Sequence, residues 1–257
     1  MKKIASFLIA LFAIILTGCL DTVEELTIAP DGSGTYASTM DMSGMFDMIE
    51  MMAAMDTSAK SQLKKLSDKD MDSVISMRSF TDTSSSLTPE QKKLFQDAKM
   101  RITMKQKEKL FKMGMTYPFK KLEDVQKIMA LNDEGKGVGL FGKGGQENAI
   151  GALNDKGGFP SIGNYYDMTI KNGLIERKVN EGKLAELKKD EKFSEMKNAG
   201  DMMGTITFST VIHLPKPAST VEGEKVKLSA DKKTVTVKSS LIDLFENPKS
   251  LGFKIVY

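Results

Sequence analysis

Methionine is the residue type in this chain whose spacing most suggests chemistry. Seven of the 19 Met fall between Met40 and Met55. A thioether sulfur is a soft donor that suits Cu(I), and the pairs Met40/Met42 and Met45/Met48 have the close spacing such a site requires. The same residues also fit a core. Met is an unbranched filler of irregular gaps. At about 100° per residue, Met45, Met48, Ile49, Met52 and Met55 share one helical face, while Met40 and Met42 alternate along a strand. Two readings therefore attach to Met40, Met42, Met45 and Met48: Cu(I) handling, and packing.

Other spacings lack the partners their chemistry needs. Asp68, Asp70 and Asp72 match the first ligands of an EF-hand loop. Ser73 stands where the turn Gly belongs, and Ser79 where the bidentate Glu belongs. Gly137-Val-Gly-Leu-Phe-Gly142 matches a dinucleotide fingerprint without the strand, helix and acid around it. Read as a P-loop, the same stretch continues into Gly144 where Mg²⁺ needs Ser or Thr. The one His, His213, shares a strand face with Thr205, Thr207 and Ser209, which predicts a surface position. Tyr117, Tyr165 and Tyr166 are the candidate platforms for stacking a sugar, in a chain without Trp. Two of the 34 acids could converge for carboxylate-dependent hydrolysis, although no spacing marks a pair.

The single Cys has a specific context. Lys2 and Lys3 precede a 13-residue apolar run, Ile4–Leu16, broken by Ser6. That run fits a secretory signal and falls short of the ~20 residues that span a bilayer. It ends in Leu16-Thr17-Gly18-Cys19. This order resembles the lipobox of bacterial lipoproteins. The resemblance implies cleavage before Cys19 by signal peptidase II, with diacylglycerol on the thiol and an N-acyl chain on the new terminus. Removing 18 of 257 residues would leave 239, with the formal charge falling from +3 to +1 as Lys2 and Lys3 are lost. In lipoproteins of Gram-negative bacteria an Asp directly after the Cys favours the inner membrane. Here Leu20 follows and Asp21 comes one later, which favours the outer membrane.

The elements that would carry these residues read as hairpins and helices. Val23–Ile28 and Tyr36–Met42 are strands around a Pro30–Gly34 turn, and a helix over 44–55 follows. Residues 57–72 read as a polar helix and turn, and Asp72–Phe80 as a strand. Thr81–Leu87 reads as a loop. Thr88-Pro-Glu-Gln91 has the cap, first-turn Pro and capping-box partner of a helix start. Met100–Lys105 and Phe111–Tyr117 alternate as a second hairpin, and Leu122–Met129 has helical spacing. Gly135–Gly163 holds ten Gly in 29 residues, a long loop with a short helix at 147–153, and is the candidate mobile or partner-contacting segment. Tyr165–Ile170 and Leu174–Val179 flank an Asn172-Gly173 turn. A charged helix runs towards Ala199. Strands at Ile206–Leu214, Lys225–Leu228, Thr234–Val237 and Leu251–Tyr257 follow, with a helical turn at Leu241–Phe245.

The expected fold class is α+β: mostly antiparallel sheet built from β-hairpins, with helices packed on one face. The expected organisation is a signal peptide over 1–18, an α+β domain over 19–200, and a strand-rich part over 201–257 continuous with it. The lipobox, the early hairpin, the Thr88 helix start, Tyr117-Pro-Phe-Lys120 and the strand-rich tail together resemble families of uncharacterised bacterial envelope lipoproteins. That likeness implies location and fold, and names no catalytic residue. Balanced charge excludes a general nucleic-acid binder. One Cys excludes an intrachain disulfide framework. The expectation is a non-enzymatic binding or scaffolding protein, held to the membrane by lipid on Cys19 and without a bound cofactor. Its partner would be an envelope protein or ligand. Cu(I) handling and a carboxylate-dependent hydrolase are the alternatives.

Overall fold

The computed structural model describes residues 20–44, 46, 70–85, 87–133, 162–187, 189 and 206–257. Cys19, Met45, Met48, the expected helix at 147–153, and nearly all of the expected helix at 44–55 and of Gly135–Gly163 lie outside them. Twelve strands and five α-helices are present among the described residues. The fold is mixed α and β, and its sheets are dominated by antiparallel pairs.

Strands β1 (Leu20–Ile28) and β2 (Gly34–Asp41) form the first hairpin. Its turn closes where Asp31 accepts from the Ser33 amide and hydroxyl. Strand β3 (Met71–Ser76) is followed directly by helix α1 (Arg78–Thr83). Neither the strand expected as far as Phe80 nor the loop expected from Thr81 is what forms there. The Thr81 hydroxyl donates to Arg78 O and the Thr83 hydroxyl to Ser79 O, so these Thr bond within a helical turn. Met77 and Thr81, one turn apart, are both buried and hold that turn against the core.

Helix α2 (Pro89–Phe95) starts as its sequence predicts. Thr88 Oγ1 accepts from the Gln91 amide while Gln91 Oε1 accepts from the Thr88 amide. The helix stops at Phe95. Strands β4 (Lys99–Lys105) and β5 (Leu110–Phe119) make the second hairpin, and helix α3 (Leu122–Asp133) follows. Strands β6 (Tyr166–Lys171) and β7 (Leu174–Val179) make the third, before helix α4 (Glu181–Leu187). Gly173 takes φ +82° in its turn, a conformation that costs L-residues with a Cβ. The chain closes with β8 (Ile206–His213), β9 (Thr220–Glu222), β10 (Val226–Leu228), β11 (Thr234–Ser240), helix α5 (Leu241–Glu246), a 3-10 turn (Pro248–Leu251) and β12 (Phe253–Val256).

These strands form two sheets. The larger has the order β10-β11-β8-β1-β2-β5-β4-β3, and the smaller β6-β7-β12-β9. One neighbouring pair is parallel: β8 lies beside β1 with Ile206 opposite Leu20. The core lies against the face of the larger sheet that carries Leu26, Tyr36, Met115, Tyr117, Ile212 and Val235. Tyr117 is fully buried, stacked at 6.0 Å on Tyr36 and tilted against Phe95 at 5.5 Å. Met is abundant on that face: Met40 pairs with Met113 and Met100 with Met115 across the strands. Among the described residues no helix is long and apolar enough to cross a membrane.

Candidate functional site

The smaller sheet has a notch at one end. Strand β12 begins at Phe253, opposite Arg177 of β7, and β9 ends at Glu222, opposite Lys254. Beyond those pairs the central strand leaves the sheet through Gly252 into the 3-10 turn. The outer strands are left flanking an open cleft of about 430 Å³. Gly223 and Gly252 lie in its wall. At Gly223, φ is +142°, and a Cβ would come within 2.6 Å of Val226 Cγ2 and 2.9 Å of Gly252 O.

The cleft is lined by acids Glu176, Glu181 and Glu222 and by bases Arg177, Lys178, Lys249 and Lys254, with Val179 and Phe253 as its apolar part. The two signs are interspersed. Glu176 pairs with Lys178 at 3.0 Å and Glu181 with Lys249 at 3.3 Å. The second pair is largely exposed on both sides, so solvent leaves little net energy in it. Glu222, Lys254 and Glu176 lie in one cross-strand row. Two strand spacings place the backbones of the two Glu about 9.5 Å apart. Lys254 stands between them, so the row offers alternating charge to a ligand.

Behind the cleft is a buried cation. On β7, Ile175, Arg177 and Val179 share the inward face, and Arg177 is 9% exposed. Its Nε donates to Leu251 O at 2.8 Å and its Nη1 to Thr210 Oγ1 at 3.4 Å. The guanidinium lies 4.7 Å from the centre of the Phe253 ring and 5.4 Å from that of Tyr166. Burial pulls its pKa below the usual guanidinium value, opposed by Glu24 and Tyr166. Glu24 lies opposite Thr210 in the parallel ladder and accepts from the Tyr36 hydroxyl at 2.9 Å. Arg177 therefore fastens the smaller sheet to the centre of the larger one. Burial pushes the Tyr166 phenol up to about 12, and its hydroxyl donates to Pro248 O at 2.9 Å. A cavity of about 10 Å³ adjoins Glu24, Tyr36 and Thr210, room for about one water.

Arg177 was detectable in the sequence: a strand reading Ile-x-Arg-x-Val puts a cation on an apolar face. The cleft had no such signal, because its walls come from β7, β9, β12 and the 3-10 turn, which are distant in sequence.

The structure distributes the sequence candidates widely. Met42, one residue past β2, is buried, and Met40 within β2 is packed against the core. Asp72 is held by Arg101 at 2.9 and 3.0 Å and by Thr103 at 3.2 Å, and Asp70 accepts from the Gln106 amide. Asp68 lies outside the described residues. Among the described residues no three His, Cys, Asp or Glu side chains gather where they could hold a metal. His213 is partly exposed on the outer face of β8, 2.9 Å from Glu25 and 3.3 Å from Thr234. Tyr117 and Tyr166 are buried, so neither presents a ring for stacking, and Tyr165 is half-buried. No family model, curated protein or solved structure matches the chain.

Proposed function

We propose that this chain is a lipid-anchored bacterial envelope protein, non-enzymatic, whose folded part is a binding or scaffolding module. The observation that carries the reading is the sequence Leu16-Thr17-Gly18-Cys19 placed directly before β1. Leu20, the residue after the acylated Cys, is 3% exposed and already in a central strand. A segment that was meant to stay as a membrane helix would not need to end at a Cys flush with a sheet. Two or three acyl chains on one Cys hold a domain firmly, where a single chain does not.

In this reading the helices lie along the core-bearing side of the sheets, which buried Phe95, Val125, Ile128 and Leu244 support. Met40 and Met42 fill the core and no cofactor is carried. The module's ligand site is the charge-alternating cleft between β7 and β9. Interspersed charges of both signs suit a partner or ligand carrying both signs better than nucleic acid. The outer membrane is the favoured location, since Leu20 follows the Cys.

The experiment is precursor processing. Globomycin, or the substitution Cys19→Ala, is expected to accumulate the uncleaved precursor. Normal processing under both would overturn the reading.

A further inference from the structure

We infer that the β4–β5 turn, with Lys105, Lys107 and Lys109, together with the exposed Ile242, forms the surface that rests on anionic lipid headgroups. The inference rests on the lipid anchor at Cys19.

The geometry follows from strand register. Leu20 starts β1, so an anchor on Cys19 defines which end of the larger sheet faces the membrane. Asp21 is level with Asp41, Asp41 with Lys112, and Lys112 with Thr103. Leu20 is therefore level with Phe111 and Met104. The β4–β5 hairpin continues past that level, through the Lys105–Leu110 pair, to a turn closed by the Lys109 amide on Gln106 O. At about 3.3 Å per strand residue, Lys105 lies one residue beyond Leu20 on the anchor side, and Lys107 lies farther out, in the turn. Laterally, three strand spacings separate β4 from β1, about 14 Å. A thioether at the glycerol level of the bilayer thus brings this turn among the headgroups.

The chemistry of the turn fits that location. It carries three Lys against Glu108, which pairs with Lys105 at 3.2 Å. Lys107 is exposed, and Lys109 holds φ +48° at the corner. On the other side of β1, β11 ends at the same level, with Ser240 opposite Thr207 and Thr207 opposite Asp21. Helix α5 starts there, and Ile242 is 51% exposed. The acylated Cys would thus stand between a cationic contact and an apolar one. Juxtamembrane Lys gain from anionic lipid within a Debye length of the surface. The far end, with Lys120 just after β5, also carries Lys. Attachment at Cys19, rather than charge alone, selects the facing end.

The test uses the lipoprotein purified from membranes and reconstituted into phosphatidylethanolamine vesicles with phosphatidylglycerol. A nitroxide is placed at Lys107→Cys or, as control, at Lys120→Cys, and its collisions with a lipid bearing a headgroup nickel chelate are measured. A thioether on Cys19 leaves the introduced Cys as the labelled thiol. Collisions several-fold more frequent at 107 than at 120 are expected, with the ratio falling when phosphatidylglycerol is omitted. Equal accessibility, or a ratio indifferent to phosphatidylglycerol, with Cys19 unlabelled, would overturn the membrane-facing surface and leave the anchor standing. A second label on Cys19 would overturn the anchor and the surface with it.

Discussion

The Thr207 hydroxyl donates to the Asp21 carboxylate, joining the second residue after the proposed anchor to a strand 186 residues away. The contact sits at the start of the parallel β1–β8 ladder, near the end of the sheet that the anchor would load. Its loss should loosen that corner without touching export. Thr207→Val is expected to cost about 1 kcal/mol in a urea melt followed by circular dichroism. Processing at Cys19 should be unchanged. A wild-type midpoint would mean that the bond carries no stability.

Arg177 is the costliest polar group to disturb. Arg177→Ala removes a buried cation that satisfies Leu251 O and faces Glu24, and leaves both without it. The expected loss is about 3–5 kcal/mol, as for breaking one side of a buried charge arrangement. Arg177→Met keeps the apolar stem between Phe253 and Tyr166 and should lose less. Equal melts for the two variants would show that the stem's packing adds nothing, and that charge and hydrogen bonding are what Arg177 supplies.

Acid should weaken the fold. For Asp41, burial acts to raise the pKa, but Ser43 and Lys112 hold it below 3.8. For Asp243, burial again opposes, and Lys225 and Ser240 prevail. A carboxylate depressed in the folded state binds fewer protons there than when unfolded. Its stability is present above 3.8 and is lost as pH falls through the folded value. Alkali acts with the opposite sign. Tyr166 is raised from 10.0 to about 12, so the unfolded chain ionises first and stability is lost as pH rises across that interval. Melting temperature against pH should therefore fall at both ends, and Tyr166→Phe should flatten the alkaline limb. A limb unchanged in that variant would contradict the assignment.

The Thr88 capping box offers a smaller test. Thr88→Ala leaves the Gln91 amide without its acceptor and is expected to cost about 1 kcal/mol, a melting shift of about 2–4 °C. An unshifted melt would mean that the start of α2 frays at no cost.

That box was legible because its chemistry is complete within four residues. The hairpin at Asn172-Gly173 was legible for the same reason: both strands and the turn residue are contiguous. Strand β9 was missed, since three residues are too short to show a period. The parallel β1–β8 pair was invisible because nothing local in Leu20–Ile28 records a partner near residue 206. The division into two sheets was hidden likewise, since β12 joins β7 across more than seventy residues. Helix α1 was mistaken for strand and loop because Ser and Thr favour both. Here their hydroxyls bonded back into the helix. The cleft inherits this problem, as each of its walls is ordinary until the sheet assembles.

The anchor is the claim on which the account turns, and an intact mass of the protein extracted from cell membranes tests it most directly. A mature chain beginning at Cys19, heavier than its 239 residues by a diacylglyceryl group and one further acyl chain, is the predicted result. A chain that still begins at Met1, or one that begins at an unmodified Cys19, would contradict it.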